Sequence, residues 1–497
     1  MERQFKVSRV QALTRQLGDV IPLPVSVRPD PAANFRISSD LSVSASPETA
    51  DIAERLAQLL RRATGHPVPL GDGGSFRVVL EGADTNGKPP EAYGLEITPE
   101  SVTLRAPSNQ GLFAALQTLR QLLPEAPEGE IILPGGRIED EPRFAYRGTM
   151  LDVARHFFSP ADIKSHIDAI AQLKINHLHL HLTDDQGWRL EIPGWPLLTE
   201  IGAGPGTGVD GAGPGFLTAA EYSDLVAYAA ARYVTIVPEI DMPGHVNAAQ
   251  VAYPELTADG QPVQPRTDAE VGYSSLVAGK EQTYAFVEDV IREVAALTPG
   301  PYLHIGGDEA FSTPPEDYRA FLRRVLPLAG KYGKRAIGWH EIAAVELPPS
   351  AVPQYWRIEP ADDGVARAAL AGHQVIMSPA DRSYLDMKYD KDSPLGLDWA
   401  GVVGVERSYD WDPADRLPGV GEESLLGVEA PLWSETVRSL ADVQFLAFPR
   451  LAAIAEIGWT PRADREWRSF RRRLGALGPR WTAQGINFHR SPEIDWA

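Results

Sequence analysis

The chain has 497 residues, enough for a large domain with an accessory domain, or for two or three smaller units with cores of their own. A formal net charge of −20 argues against nucleic acid and anionic membrane surfaces as partners, because both would repel the chain at long range. The absence of cysteine excludes disulfides, thiolate metal sites and cysteine nucleophiles.

Residues 1–142 are predicted to form a small α+β domain. The first residues lack the apolar stretch of a signal peptide, so none is predicted, and the chain fits either a cytoplasmic protein or a mature secreted form. Apolar spacing of three and four residues predicts helices over residues 50–63 and 111–123. Short apolar runs predict strands over residues 35–38, 76–80, 93–97 and 101–105. Because acids, histidines and aromatics do not cluster here, we expect a structural role.

Residues 143–497 alternate short apolar strands with helical segments, which predicts a (β/α)₈ TIM barrel. The eight predicted strands cover residues 148–153, 177–182, 234–240, 302–305, 335–339, 352–355, 374–377 and 427–433. The predicted helices cover residues 161–173, 219–232, 281–296, 315–332, 365–372 and 441–457. The link between the fifth and sixth strands is short for a helix. Three long connections, residues 201–217, 258–280 and 385–423, follow strands, where barrel active sites lie.

Carboxylates and tryptophans follow most of the predicted barrel strands. Because strand ends converge in a barrel, these side chains are expected to line one bowl. Carboxylates and arginine hydrogen-bond hydroxyls, and indole rings cover the apolar faces of sugars, so the set predicts a sugar site. The polar and aromatic residues at these positions are Asp152, Arg155, Asp184, Asp185, Gln186, Trp188, Glu239, Asp241, His245, Asp308, Glu309, Trp339, His340, Glu341, Trp356, Tyr384, Asp386, Trp433 and Glu435.

Asp308 and Glu309 are adjacent and follow two glycines, which allow backbone and substrate to approach closely. Consecutive side chains on a strand diverge, so the two carboxylates are not expected to flank one anomeric carbon as acid and nucleophile. Another nucleophile is needed. An ordinary retaining glycosidase with Glu239 or Glu435 in that role therefore stays open.

Five motifs carry a resemblance to family 20 glycoside hydrolases, the β-N-acetylhexosaminidases, and to bacterial chitin-scavenging members in particular. The most specific is HIGGDE at residues 304–309. The others, similar to the family in order and spacing, are LDVARHFF at 151–158, HLHLTDDQGW at 179–188, PEIDMPGH at 238–245, and the pair YLD at 384–386 and WSE at 433–435. The likeness covers the whole barrel, and the first domain resembles the family's N-terminal α+β domain.

The resemblance implies hydrolysis with retention at terminal β-linked N-acetylhexosamine residues of oligosaccharides or glycoconjugates. In this family the carbonyl oxygen of the substrate's own 2-acetamido group is the nucleophile, and an oxazolinium-like intermediate forms. By the same resemblance, Glu309 is the general acid and base, Asp308 accepts the acetamido N–H, and Tyr384 hydrogen-bonds the acetamido oxygen. No cofactor or metal is implied.

The remaining site residues are also assigned by resemblance. Arg155 is expected on the 3- and 4-hydroxyls, Glu435 on the 4- and 6-hydroxyls, and Asp386 on the 6-hydroxyl. Phe311 stands where close bacterial relatives are expected to have histidine, so contacts with the leaving group are expected to differ. Asp184 and His245 are expected to support Arg155 and Glu309. Trp339, Trp356 and Trp433 are expected to enclose the acetamido methyl. Trp399 is expected to carry the next sugar.

Two further hypotheses belong to other classes of protein. His177, His179 and His181 alternate along one strand, a pattern that metal-dependent amidohydrolases use to hold a divalent ion. Alternatively, the barrel binds glycans without cleaving them, because a fold does not guarantee catalysis. Loss of activity on chelation favours the first hypothesis, and tight glycan binding without release of monosaccharide favours the second.

Overall fold

The computed structural model describes residues 15–81, 87–127, 129–359 and 363–497. The opening residues, on which the signal-peptide prediction rests, lie outside this range. The chain divides into two compact units, Met1–Glu141 and Pro142–Ala497. Within the described residues, none of the helices combines the length and apolar character needed to cross a bilayer.

The first unit contains a six-stranded sheet, a short two-stranded sheet and two helices. Its strands are β1 (Ser26–Pro29), β2 (Phe35–Arg36), β3 (Val43–Ala45), β4 (Phe76–Leu80), β5 (Tyr93–Ile97), β6 (Val102–Ala106), β7 (Ile132–Leu133) and β8 (Gly136–Asp140). The large sheet has the order β1-β8-β5-β6-β4-β3, and β2 pairs with β7. The helices are α1 (Ala50–Thr64) and α2 (Asn109–Leu122), as predicted. Four strands, β1, β3, β7 and β8, were not predicted.

The second unit is built on a closed barrel of eight parallel strands, which confirms the predicted architecture. The barrel strands are β9 (Tyr146–Asp152), β10 (His177–His181), β13 (Thr235–Glu239), β14 (Tyr302–His304), β15 (Arg335–Trp339), β16 (Val352–Tyr355), β17 (Val375–Met377) and β18 (Leu425–Ala430). A small hairpin, β11 (Thr183–Asp184) with β12 (Gly187–Trp188), follows β10.

The helices of this unit lie mostly between consecutive barrel strands. The longer ones are α3 (Pro160–Ala171), α5 (Ala219–Ala230), α7 (Glu281–Leu297), α8 (Pro315–Lys331), α9 (Asp363–Leu370), α12 (Leu440–Ala447), α13 (Arg450–Trp459) and α14 (Trp467–Gly475). The short ones are α4 (Leu197–Glu200), α6 (Asn247–Ala252), α10 (Ala380–Ser383), α11 (Val405–Tyr409) and α15 (Gly478–Ala483). Between β15 and β16 the chain forms only a 3₁₀ turn, His340–Ala344, in keeping with the short link.

Two predicted boundaries were wrong. The single helix predicted over residues 441–457 is two helices, α12 and α13, separated at Phe448 and Pro449. Phe448 has an extended backbone and Pro449 has no amide hydrogen, so the helical hydrogen bonding stops at this position. The last barrel strand ends at Ala430 rather than at residue 433, so Trp433 and Glu435 lie on the loop that follows.

The interior of the barrel has an apolar layer and a polar layer. Seven strands each contribute one buried residue to the apolar cluster: Tyr146, Val237, Tyr302, Ile337, Val352, Ile376 and Leu426. Toward their carboxyl ends the strands carry buried polar side chains, among them His179, Glu239 and His304. The predicted site residues follow directly after these positions.

Candidate active site

The adjacent acids Asp308 and Glu309 follow strand β14 through a turn that only glycine permits. Gly306 has a φ of +65°, and a Cβ there would lie 1.7 Å from an oxygen of Asp241. Glu309 itself has a φ of +47°, a left-handed conformation that costs a non-glycine residue about 1–3 kcal/mol. The Glu309 side chain is 26% exposed and that of Asp308 only 9%. The turn therefore presents one accessible carboxyl group beside one buried carboxyl group.

Asp308 has a carboxyl oxygen that is available to accept a hydrogen bond from a ligand. Its Oδ1 is buried and has no hydrogen-bond partner among the residues the structure describes. Burial raises the pKa of Asp308 to about 6, and the charge of Glu309 adds to the rise, whereas His245 opposes it. A buried carboxylate with a free oxygen is costly unless a ligand supplies an N–H or O–H group.

A chain of contacts leads from this acid pair to Arg155. His245 Nε2 lies 3.6 Å from Glu309 Oε2 and 3.8 Å from Asp308 Oδ2, and its Nδ1 lies 3.2 Å from Asp184 Oδ1. The other oxygen of Asp184 lies 2.7 Å from Arg155 Nη2. Burial would lower the pKa of His245, but the charges of Asp184 and Asp241 hold it well above its ordinary value. His245 is therefore a cation that faces both catalytic candidates.

The guanidinium of Arg155 is fixed on three sides. Its Nε donates to Gln186 Oε1 at 3.0 Å, and Nη1 lies 3.2 Å from Asp152 Oδ2, in addition to the Asp184 contact. The guanidinium carbon stands 5.0 Å from the centre of the Trp433 ring. These contacts hold the planar fork of donors in one orientation, as recognition of sugar hydroxyls requires.

Five aromatic side chains form a connected wall. The rings of Trp339 and Trp433 have centroids 5.6 Å apart, and Trp399 lies 6.0 Å from Trp356 and 5.8 Å from Tyr384. Trp356 and Trp433 also pack against the buried cluster that contains Tyr384. Trp399 is 49% exposed, so its ring remains available at the mouth of the barrel.

Asp386 and Glu435 add two further buried carboxyl groups. Both carboxyl oxygens of Asp386, and Oε2 of Glu435, are buried without a hydrogen-bond partner in the part of the chain that the structure describes. Burial and the neighbouring Glu435 raise the pKa of Asp386 well above its usual range. Burial likewise raises the pKa of Glu435, against the opposing charge of Arg155. Such acceptors suit a ligand that is rich in hydroxyl groups.

The structure thus brings the residues singled out from the sequence into contact through two groups, one around Asp184 and one around the aromatic wall.

Tyr318 was not predicted as part of the site. Its hydroxyl donates to the carbonyl oxygen of Gly307 at 2.6 Å and so braces the turn that carries the acids. Tyr318 lies within helix α8, away from any strand end, and gives no signal in the sequence. Glu341, which follows strand β15, accepts a hydrogen bond through Oε2 from Trp356 Nε1 at 3.2 Å.

Several triplets of acids and histidines are close enough to hold a cation, for example His179 with Glu239 and His304. We assign no metal to them. Each ring nitrogen of His179 and of His181 faces a carboxylate oxygen at 2.5–2.9 Å, so hydrogen bonds already satisfy these nitrogens. His177 instead stacks on Tyr146, with ring centroids 4.0 Å apart. The alternating histidines are better explained as a hydrogen-bonded barrel interior than as an amidohydrolase metal site.

Comparisons with known proteins agree over both units. Residues 144–318 and 313–462 match the family model "Glycosyl hydrolase family 20, catalytic domain", and residues 18–141 match "Glycosyl hydrolase family 20, domain 2". A β-N-acetylhexosaminidase of Cellulomonas fimi is 42% identical over 482 residues, which span 96% of this chain and 97% of that protein.

Solved structures of family 20 enzymes are also similar to this chain over nearly its whole length. The N-acetyl-β-hexosaminidase of Streptomyces plicatus in complex with Thio-NAglucal is 48% identical, with a TM-score of 0.92 over 97% of this chain and 98% of that one. A family 20 β-N-acetylhexosaminidase from Streptomyces coelicolor A3(2) is also 48% identical, with a TM-score of 0.93 over 97% and 99% of the two chains.

Proposed function

Since the chain belongs to glycosyl hydrolase family 20, we propose that it is a β-N-acetylhexosaminidase that removes terminal, non-reducing β-linked N-acetylglucosamine or N-acetylgalactosamine. Its substrates are oligosaccharides or glycoconjugates that end in these sugars, short chitin fragments among them. The observation that carries the proposal is the acid pair, in which an accessible Glu309 lies beside a buried Asp308 that has a free acceptor oxygen.

In the proposed reaction the carbonyl oxygen of the substrate's 2-acetamido group attacks the anomeric carbon as the bond to the leaving oxygen breaks. Glu309 gives its proton to that oxygen, and an oxazolinium intermediate forms. Water then adds to the anomeric carbon, Glu309 takes a proton from it, and the acetamido group is restored with retention. Asp308 accepts the acetamido N–H as positive charge develops, and Tyr384 donates to the acetamido oxygen.

The remaining residues bind and orient the ring. Trp339, Trp356 and Trp433 enclose the acetamido methyl, and Trp399 carries the next sugar. The hydroxyl groups of the sugar accept hydrogen bonds from Arg155, which is held in one orientation, and donate to the unpartnered oxygens of Asp386 and Glu435. Asp184 and His245 hold Arg155 and Glu309 in place.

A carboxylate nucleophile is less well supported. Glu239 is fully buried, and its two oxygens already lie 2.5–2.9 Å from the nitrogens of His179, His181, His304 and Trp339. A nucleophile needs a free lone pair aimed at the anomeric carbon, so this residue is unsuited to the role. Glu435 lies beside Arg155, where an acceptor for sugar hydroxyls is required.

The proposal is tested with nitrophenyl glycosides of β-N-acetylglucosamine, β-N-acetylgalactosamine and β-glucose. We expect hydrolysis of the first two and none of the third, because glucose lacks the acetamido nucleophile. Thiazoline analogues should inhibit strongly, and a 2-fluoro sugar should leave no covalent adduct. Turnover of the glucoside together with a trapped adduct would instead establish an ordinary retaining glycosidase. Tight binding of N-acetylglucosamine oligomers without release of monosaccharide would establish a glycan-binding protein.

The activity should fall on the acid side near pH 6. Because the pKa of Asp308 is raised to about 6, this carboxyl group becomes protonated below that pH and can no longer accept the acetamido N–H as an anion. We expect log kcat/KM for nitrophenyl β-N-acetylglucosaminide to decline with a slope of about one below this value. A flat profile down to pH 4 would contradict the assignment of Asp308.

Phe311 is expected to contact the leaving group. The side chain is 74% exposed, two residues after Glu309, and its ring packs against Gly272 of the loop that follows strand β13. Phe311→Ala should raise KM for chitobiose several-fold, because apolar contact area is lost, and should leave kcat nearly unchanged. Leu370→Ala, equally exposed at 77% but on helix α9, is the control and should change neither constant. An unaltered KM in the Phe311 variant would exclude this contact.

A further inference from the structure

A buried chain of alternating carboxylates and imidazoles runs through the barrel interior to the site. Its members, in order of contact, are Glu429, His179, Glu239, His181 and Asp184. The four nitrogen-to-oxygen distances along the chain are 2.9, 2.9, 2.5 and 2.9 Å. All five side chains are fully buried. The proposed reaction gives none of the first four members a part.

Both histidines of this chain lie between two carboxylates. A neutral imidazole has one N–H group, so it cannot donate to a carboxylate from each nitrogen, whereas an imidazolium can. Burial lowers the pKa of His179, but Glu429 and Glu239 together raise it to about 9. Burial acts in the same way on His181, and Glu239 and Asp184 raise its pKa well above the ordinary value. The chain therefore alternates negative and positive charges.

Glu239 is the centre of this chain. Its Oε2 accepts from both His179 and His181, and its Oε1 accepts from Trp339 Nε1 at 2.9 Å and lies 2.9 Å from His304 Nδ1. Burial would raise the pKa of Glu239, but the surrounding imidazoles keep it well below its usual range. The carboxylate thus keeps its charge, and one of its oxygens holds an indole of the aromatic wall.

The chain reaches the catalytic candidates through Asp184. The Oδ2 atom that faces His181 also holds Arg155, and Oδ1 holds His245, which faces Glu309 at 3.6 Å. If His181 lost its second proton, one of its two carboxylate contacts would become a repulsion between lone pairs. Because Glu239 lies nearest to His181, its charge decides whether that proton is kept.

We propose that Glu239 is a positioning residue, whose carboxylate keeps His181 doubly protonated and thereby holds Asp184, and through it Arg155 and His245, in the arrangement the reaction needs. The inference rests on the proposed function for its effect on catalysis. The charge state of the chain is a property of the protein alone and is tested separately.

His181 faces acidic groups from several elements. Five carboxylates act on it, from β9, β11, β13 and the turns after β13 and β14: Asp152, Asp184, Glu239, Asp241 and Asp308. The ring also meets Trp433 edge-on, with centroids 4.8 Å apart. Only Glu239 and Asp184 lie within hydrogen-bond distance of its nitrogens. Removal of Glu239 therefore takes away one of the two direct partners.

The first test uses nitrogen NMR of the unaltered protein labelled with ¹⁵N-histidine. We expect both ring nitrogens of His181, assigned by comparison with a His181→Gln sample, to carry protons from pH 5 to pH 8. A neutral ring with one protonated nitrogen over this range would overturn the proposal, whatever the activity of the enzyme.

The second test replaces Glu239 by glutamine, which has nearly the same shape but no charge. We expect kcat/KM to fall about 10- to 100-fold, because a hydrogen bond to a charged group is weakened. Without the negative charge of Glu239 the pKa of His181 falls. The ring therefore loses its second proton at a lower pH than in the unaltered protein. Loss of the second proton of His181 disrupts the chain, so kcat/KM should fall at high pH. This alkaline limb of the pH profile should begin at least one pH unit lower in the variant than in the unaltered protein.

Glu429→Gln is the matched control, because Glu429 is equally buried and contacts His179 but not His181. It should change the thermal stability as much as Glu239→Gln does and leave the alkaline limb in place. Two outcomes would show that the buried chain of carboxylates and imidazoles only supports the barrel. One is an equal shift of the alkaline limb in both variants, and the other is an alkaline limb that does not shift in Glu239→Gln. If Glu239→Gln does not fold, the NMR test decides. If the unaltered protein cleaves no N-acetylhexosaminide, the proposed function fails while the NMR result still stands.

Discussion

Glu309→Ala is expected to lower kcat/KM for chitobiose by about 100- to 10,000-fold, the usual contribution of a general acid. The sugar alkoxide is a poor leaving group, so its departure depends on the proton that Glu309 supplies. A dinitrophenyl leaving group needs no proton, so the first step on that substrate should be nearly preserved. The variant should then be limited by the second step, in which Glu309 activates water.

The measurement compares chitobiose with dinitrophenyl β-N-acetylglucosaminide in the variant and the unaltered enzyme. Glu316→Ala removes a solvent-exposed carboxylate nearby, at the start of helix α8, and serves as the control with unchanged kinetics. Equal losses on both substrates would remove Glu309 from the role of general acid.

Asp308→Asn is expected to reduce kcat/KM about 100-fold or more for every leaving group. Asparagine keeps the size of the side chain but has no charge to stabilise the acetamido nitrogen as the oxazolinium forms. Because the acetamido oxygen must displace every leaving group, whatever its acidity, dinitrophenyl and sugar substrates should suffer alike. The contrast with Glu309→Ala separates the two roles.

The same variant also alters the pH dependence. Asparagine does not titrate, so the decline in activity near pH 6 should disappear from the profile of the residual activity. The measurement is kcat/KM for two nitrophenyl substrates between pH 4 and pH 8. A loss confined to poor leaving groups would contradict the assignment, as would persistence of the acid limb.

The sequence alone was sufficient to predict the barrel, and it indicated which polar side chains would follow the ends of its strands. Apolar runs mark the eight strands because parallel strands are buried on both faces. Once the strands are placed, closure of the barrel brings Arg155, Asp308 and Glu435 to one end, so residues far apart in the chain could be grouped.

Contacts that depend on register between strands could not be predicted in this way. His179 and His181 alternate as metal ligands do, and only the pairing of β10 with β13 shows that Glu239 lies between their rings. Tyr318 was missed because a helix residue that braces a turn has no pattern of its own. The break at Pro449 was overlooked because the apolar spacing continues on both sides of it.

The unpartnered oxygens of Asp386 and Glu435 have a consequence for the resting enzyme. Two buried acids that repel each other, with three carboxyl oxygens left without a side-chain or backbone partner among the described residues, weaken the folded state. The hydroxyl groups of a bound sugar donate to these oxygens and relieve the penalty. Binding of the sugar should therefore raise the free energy of unfolding of the protein. Heat resistance should accordingly depend on how much sugar is present.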